Sequence, residues 1–66
     1  MTFEPGTTVR TTIDLRADDG SIVPAGTVAM VVGSVDARLV VDFDDHDTGE
    51  RITATAEPWE LMRLRR

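Results

Sequence analysis

No window of a dozen residues in this chain shows a clean helix face, with apolar side chains at i, i+3, i+4, i+7 set against polar ones. β-Branched residues are dense instead: eight valines, three isoleucines and nine threonines fill 20 of 66 positions. Two substituents on Cβ stiffen χ1 and suit a pleated surface. Asp, Gly and Pro interrupt these residues at short intervals, so the sequence predicts an all-β chain of short strands.

Val9, Thr11, Ile13 and Leu15 alternate with Arg10, Thr12, Asp14 and Arg16, which predicts a half-buried strand over 9–16. Ala17-Asp18-Asp19-Gly20-Ser21 is turn chemistry, and Ile22 and Val23 fall inside a long connection that ends in a second turn, Pro24-Ala25-Gly26. The stretch 27–32 is apolar on both faces and reads as a central strand, with Gly33-Ser34 bending its end. A strand over 38–44 puts Leu39, Val41 and Phe43 on one face. Asp45-His46-Asp47-Thr48-Gly49 makes a hairpin loop, and 51–56 returns with Ile52, Ala54 and Ala56 inward. Pro58-Trp59-Glu60 reads as one 3₁₀ turn, after which 61–64 closes as a short fifth strand. Val28, Val31, Leu39, Val41, Phe43, Ile52 and Leu61 are the expected core.

At 66 residues the chain is near the lower limit for independent folding, so 1–66 is expected to form one domain. Cysteine is absent, so no disulfide supplements the core. The same absence removes thiolate zinc sites, iron–sulfur clusters and a cysteine nucleophile. With no Tyr, no Lys and one histidine, most catalytic constellations lack a member. The expectation is therefore a non-enzyme with no catalytic residue, no cofactor and no metal site.

Twelve acids oppose seven arginines for a net charge of −5. Phosphate binding rests on Lys and Arg, so the sign argues against nucleic acid and against anionic membranes. A charged partner should be basic. Met1-Thr2-Phe3-Glu4-Pro5 has neither a basic nor an apolar leader segment, and the uncharged run 20–35, with Pro24 and three glycines, is too short to span a bilayer. The expected compartment is the cytoplasm.

Five acids and the sole histidine crowd into 42–50. As a calcium loop starting at Asp42 this fails, because Asp47 stands where glycine is needed and Thr53 where glutamate is needed. A solvated hairpin tip accounts for the run, as does an acidic patch for a basic partner; a looser cation site stays open as a lesser reading. His46 reads as a loop histidine in water. Asp42 and Asp44 share a strand face, but a domain of this size offers no cleft for paired-carboxylate chemistry. Arg63, Arg65 and Arg66 form a basic tail too small for nucleic-acid affinity. Trp59 either plugs the end of the core or stands exposed as an anchor for a partner.

The segments Pro5-Gly6-Thr7-Thr8-Val9-Arg10, Pro24-Ala25-Gly26-Thr27-Val28-Ala29-Met30-Val31-Val32, Leu39-Val40-Val41-Asp42-Phe43 and Glu57-Pro58-Trp59-Glu60-Leu61 follow in a specific order. In that order the chain resembles the SH3-like small β-barrel along nearly its whole length. It looks like the small bacterial members, which include free-standing proteins and the barrel domain of nitrile hydratase beta subunits with their activator relatives. The resemblance implies a five-stranded barrel with a 3₁₀ turn before the last strand, and an accessory role beside a catalytic subunit. A proline-rich ligand does not fit, since Phe3, Phe43 and Trp59 are the only aromatics. RNA-binding barrels of the KOW type share the Gly-x-Val turn but are basic where this chain is acidic.

The reading that results is a non-catalytic protein-interaction domain, an accessory, regulatory or inhibitory subunit of a larger protein with a basic surface. Its expected contact is Trp59 with Glu57, Glu60, Asp18 and Asp19 as an acidic rim. Homo-oligomerisation stays open. The alternatives are a nucleic-acid-associated KOW-like barrel and a small metal-binding protein.

Overall fold

A computed structural model describes residues 3–45 and 48–64. The elements are β1 (Thr8–Thr11), β2 (Leu15–Arg16), β3 (Ile22–Val23), β4 (Val28–Val35), β5 (Arg38–Asp44), β6 (Arg51–Ala56), a 3₁₀ turn (Pro58–Glu60) and β7 (Leu61–Arg63). The protein is all-β. Five strands form one antiparallel sheet in the order β6-β5-β4-β1-β7, and β2 and β3 form a separate hairpin. No ladder joins β6 to β7 among the described residues, so the five-stranded sheet does not close on itself.

The connections follow from local chemistry. Glu4-Pro5-Gly6-Thr7 closes with the Thr7 amide on the Glu4 carbonyl at 3.1 Å, and Gly6 at φ +93° supplies the left-handed residue a type II turn needs. β4 and β5 are joined by Asp36 and Ala37, both at positive φ (51° and 68°), which is the backbone of a tight type I′ hairpin. Val32 is an extra residue in β4: Val31 faces Val41, whereas Gly33 already faces Val40. The resulting bulge bends β4, and the strand continues to Val35 instead of ending at Gly33-Ser34.

The predicted strand over 9–16 is two strands. β1 stops at Thr11, and the Thr12 amide and hydroxyl go to the carbonyls of Glu60 (2.9 Å) and Trp59 (3.3 Å). The Asp14 carboxylate then accepts the Ala25 amide at 2.8 Å, which starts the β2–β3 hairpin. Ile13, in the bend between them, is 47% exposed and breaks the alternation its neighbours keep.

The core is Val9, Leu15, Ala17, Val23, Ala29, Val31, Leu39, Val41, Ala54, Ala56 and Leu61, with Phe3, Phe43 and Ile52 partly buried against it. Of the expected core residues, Val31, Leu39, Val41 and Leu61 are buried, and Phe43 and Ile52 lie at its margin. Val28 is a correction: it is 48% exposed. Residues 28 and 31 point to opposite faces of a regular strand, and Val31 takes the inner one. Ala17 bridges Ala54, which lays the β2–β3 hairpin over β6 and delivers Leu15 and Val23 to the core.

Candidate interaction site

Glu57 and Glu60 frame the 3₁₀ turn that carries Trp59. Proline at the first position fits, since its missing N–H would have had no partner there. The Glu60 amide donates to the Glu57 carbonyl at 2.9 Å, and the Glu57 amide donates to Glu60 Oε1 at 2.8 Å. The Thr12 contacts fasten the same turn to β1. Trp59 itself is 74% exposed. It does not plug the fold; the inner place there belongs to Leu61.

The acidic rim is only partly assembled. Glu57 lies beside Trp59, but its carboxylate Oε2 receives Arg38 Nε at 2.8 Å, so its charge is compensated. Glu60 is committed to the Glu57 amide. Asp18 and Asp19 stand elsewhere: the Asp18 amide donates to the Thr53 carbonyl at 2.9 Å, in the middle of β6. Asp19 Oδ1 accepts the Ser21 amide at 2.9 Å and the Ser21 hydroxyl at 2.6 Å. These bonds, the hydroxyl first, hold the Asp19 carboxyl below its ordinary pKa.

In the acidic hairpin, Asp42 accepts the Thr53 hydroxyl at 2.8 Å and Asp44 faces Arg51 at 3.6 Å. Asp45 Oδ1 accepts the Thr48 amide, and the Asp45 amide donates to the Glu50 carbonyl at 2.8 Å. Among the described residues no three His, Asp or Glu side chains gather as metal ligands. His46 and Asp47, and Arg65 and Arg66 of the basic tail, lie outside the described residues. Arg63 lies over the Phe3 ring, 5.4 Å from its centre.

The sequence reading missed one surface. Val28, Met30 and Val32 of β4 are exposed, as is Met62 of β7. In the ladder Met30 lies between Thr8 and Asp42, and Met62 lies opposite Arg10. The signal was present: a central strand that is apolar on both faces requires a second layer, and no part of this chain lies over that face among the described residues. No described helix is long and apolar enough to cross a membrane. Comparison with known proteins finds no matching family, no matching curated protein and no matching solved structure.

Proposed function

We propose that this protein is a non-catalytic interaction domain that binds a larger protein with a basic surface, as an accessory, regulatory or inhibitory subunit. The observation that carries the reading is Trp59, held out on a braced turn with 74% of its surface exposed. Tryptophan is costly to leave in water and is enriched at the centres of protein interfaces. The net charge of −5 supplies the steering that favours a basic partner.

The fold is read as an SH3-like small barrel. Its support is the order of elements: a first strand, a long connection holding the β2–β3 hairpin, the β4–β5–β6 meander, a 3₁₀ turn and a short last strand beside the first. The bulge at Val32 and the Ala17–Ala54 bridge bend the sheet and the hairpin around one core, as such a barrel requires. The resemblance to nitrile hydratase beta-subunit barrels supports the accessory role.

Co-purification from the native host, with wild type and Trp59→Ala in parallel, tests the reading. The expected result is a partner retained by wild type, released by salt and lost from a folded Trp59→Ala protein. Equal retention by both would remove Trp59 as the contact.

A further inference from the structure

A groove of 790 Å³ runs between the β3–β4 connection and the β5–β6 hairpin. Its walls include Ile22, Pro24 and Val28 on one side and Phe43, Ile52 and Asp44 on the other. A second depression of 220 Å³ shares Val28, Phe43 and Asp44 and continues onto Met30 and Val32. The apolar surface is therefore continuous from β3 across the outer face of β4. Ile22 is 56% exposed at one end of it.

We propose that this groove binds an extended segment of a partner protein, with apolar side chains between Ile22 and Phe43 and an Arg or Lys at the rim. This rests on the reading that the protein acts by binding another protein.

Charge selects the occupant. Asp44 and Asp45 line the groove, Asp14 holds the Ala25 amide in its opposite wall, and Asp19 holds Ser21 at its edge. Against these four carboxylates stand three arginines: Arg16, opposite Ile22 in the hairpin, Arg10, opposite Val28, and Arg51, which faces Asp44. The balance attracts a cationic segment. It repels anionic lipid and nucleic acid, and a second copy of this chain would bring its own charge of −5 to the contact.

Backbone direction selects an extended shape. The Ala17 amide donates to the Ser21 carbonyl at 2.8 Å, and the register continues as Arg16 with Ile22 and Leu15 with Val23. Bonded and non-bonded pairs alternate in an antiparallel ladder, so the Ile22 amide and carbonyl point away from β2. Among the described residues β3 has β2 as its single ladder neighbour, which leaves a short edge for strand addition.

The probe is a fluorescein-labelled peptide, Arg-Arg-Leu-Ser-Leu-Arg-Arg, which in extended form sets both leucines on one face. Controls replace Leu by Ser, or Arg by Glu. In ¹H–¹⁵N spectra the probe is expected to shift the amides of Ile22, Ala25, Phe43 and Ile52, and to leave the Trp59 indole unmoved. Both controls should fail to saturate. Ile22→Glu and Val28→Glu, each shown folded by its spectrum, should weaken the probe about twentyfold or more. The proposal is overturned if the probe does not saturate, if the Glu control binds equally, or if the shifts centre elsewhere. Dilution-dependent shifts at these amides without probe would assign the groove to a second copy and overturn it as well. Full capture of the native partner by Ile22→Glu, with loss from Trp59→Ala, would sink the groove and leave the interaction reading standing. Binding of the probe with no partner captured by wild type would do the reverse.

Discussion

Thr11 and Thr27 exchange hydrogen bonds: the Thr11 amide donates to the Thr27 carbonyl at 2.9 Å, and the Thr27 amide donates back to the Thr11 hydroxyl at 3.1 Å. The same hydroxyl donates to the Pro24 carbonyl at 3.1 Å, and the Thr11 carbonyl accepts the Gly26 amide at 2.8 Å. Thr11 is the sole buried polar residue among those described, and each of its polar groups has a partner. It locks the end of β1 to the turn that forms one wall of the groove.

Thr11→Val keeps the shape and removes the hydroxyl. It removes the hydroxyl's bonds to the Pro24 carbonyl and from the Thr27 amide, which keep only their contacts with each other and the Thr27 hydroxyl, and is expected to cost about 1 kcal/mol. Urea unfolding measures it. A variant as stable as wild type would remove Thr11 as the organiser of that turn.

Ala37 sits at φ 68°, in the left-handed region that side chains with a Cβ avoid. Ala37→Gly relieves that strain at the cost of greater freedom in the unfolded chain. The expected net is a gain of about 0.5–1 kcal/mol, read as a higher urea midpoint. A loss of stability would contradict a type I′ turn at Asp36-Ala37.

Trp59→Ala is expected to remain folded, with a loss under about 1 kcal/mol, because most of the indole already faces water. Wild-type fluorescence should be that of a solvated indole and change little on unfolding. A blue-shifted native emission, or an unfolded variant, would place Trp59 inside.

The Asp19 carboxyl titrates below its ordinary value because Ser21 bonds its charged form. A depressed folded pKa contributes stability that is fully present above the unfolded value, about 3.9, and is lost as pH falls through the folded one. Asp19→Asn should therefore differ from wild type at neutral pH and converge with it in acid. Carboxyl ¹³C titration by NMR should give an Asp19 midpoint below the ordinary aspartate value; an ordinary midpoint contradicts the Ser21 contact.

The β4–β5–β6 meander was legible because Leu39, Val41, Ala54 and Ala56 keep period two and the turns between strands carry Asp and Gly. The 3₁₀ turn was legible from Pro58, which cannot continue a strand ladder. The first strand was overread, since Ile13 keeps the period while the bend at Thr12-Asp14 depends on Glu60, Trp59 and Ala25, all distant in sequence. Val28 was misplaced because β4 is apolar on both faces, and local pattern does not say which face is covered. The compensation of Glu57 was not legible for a related reason: Arg38 and Glu57 are 19 positions apart, and nothing local announces their pairing.

The sheet pairs the first strand of the chain with the last, and this bears on the order in which it folds. β4, β5 and β6 are joined by short hairpins, so their contacts form between near neighbours at little cost in chain entropy. β1 meets β7 through Thr11 and Leu61, fifty positions apart, and that pairing gains nothing until the intervening chain has been gathered. The meander is then the natural nucleus and the β1–β7 ladder the last seam. Substitutions in the meander should slow refolding, whereas substitutions along β7 should chiefly hasten unfolding.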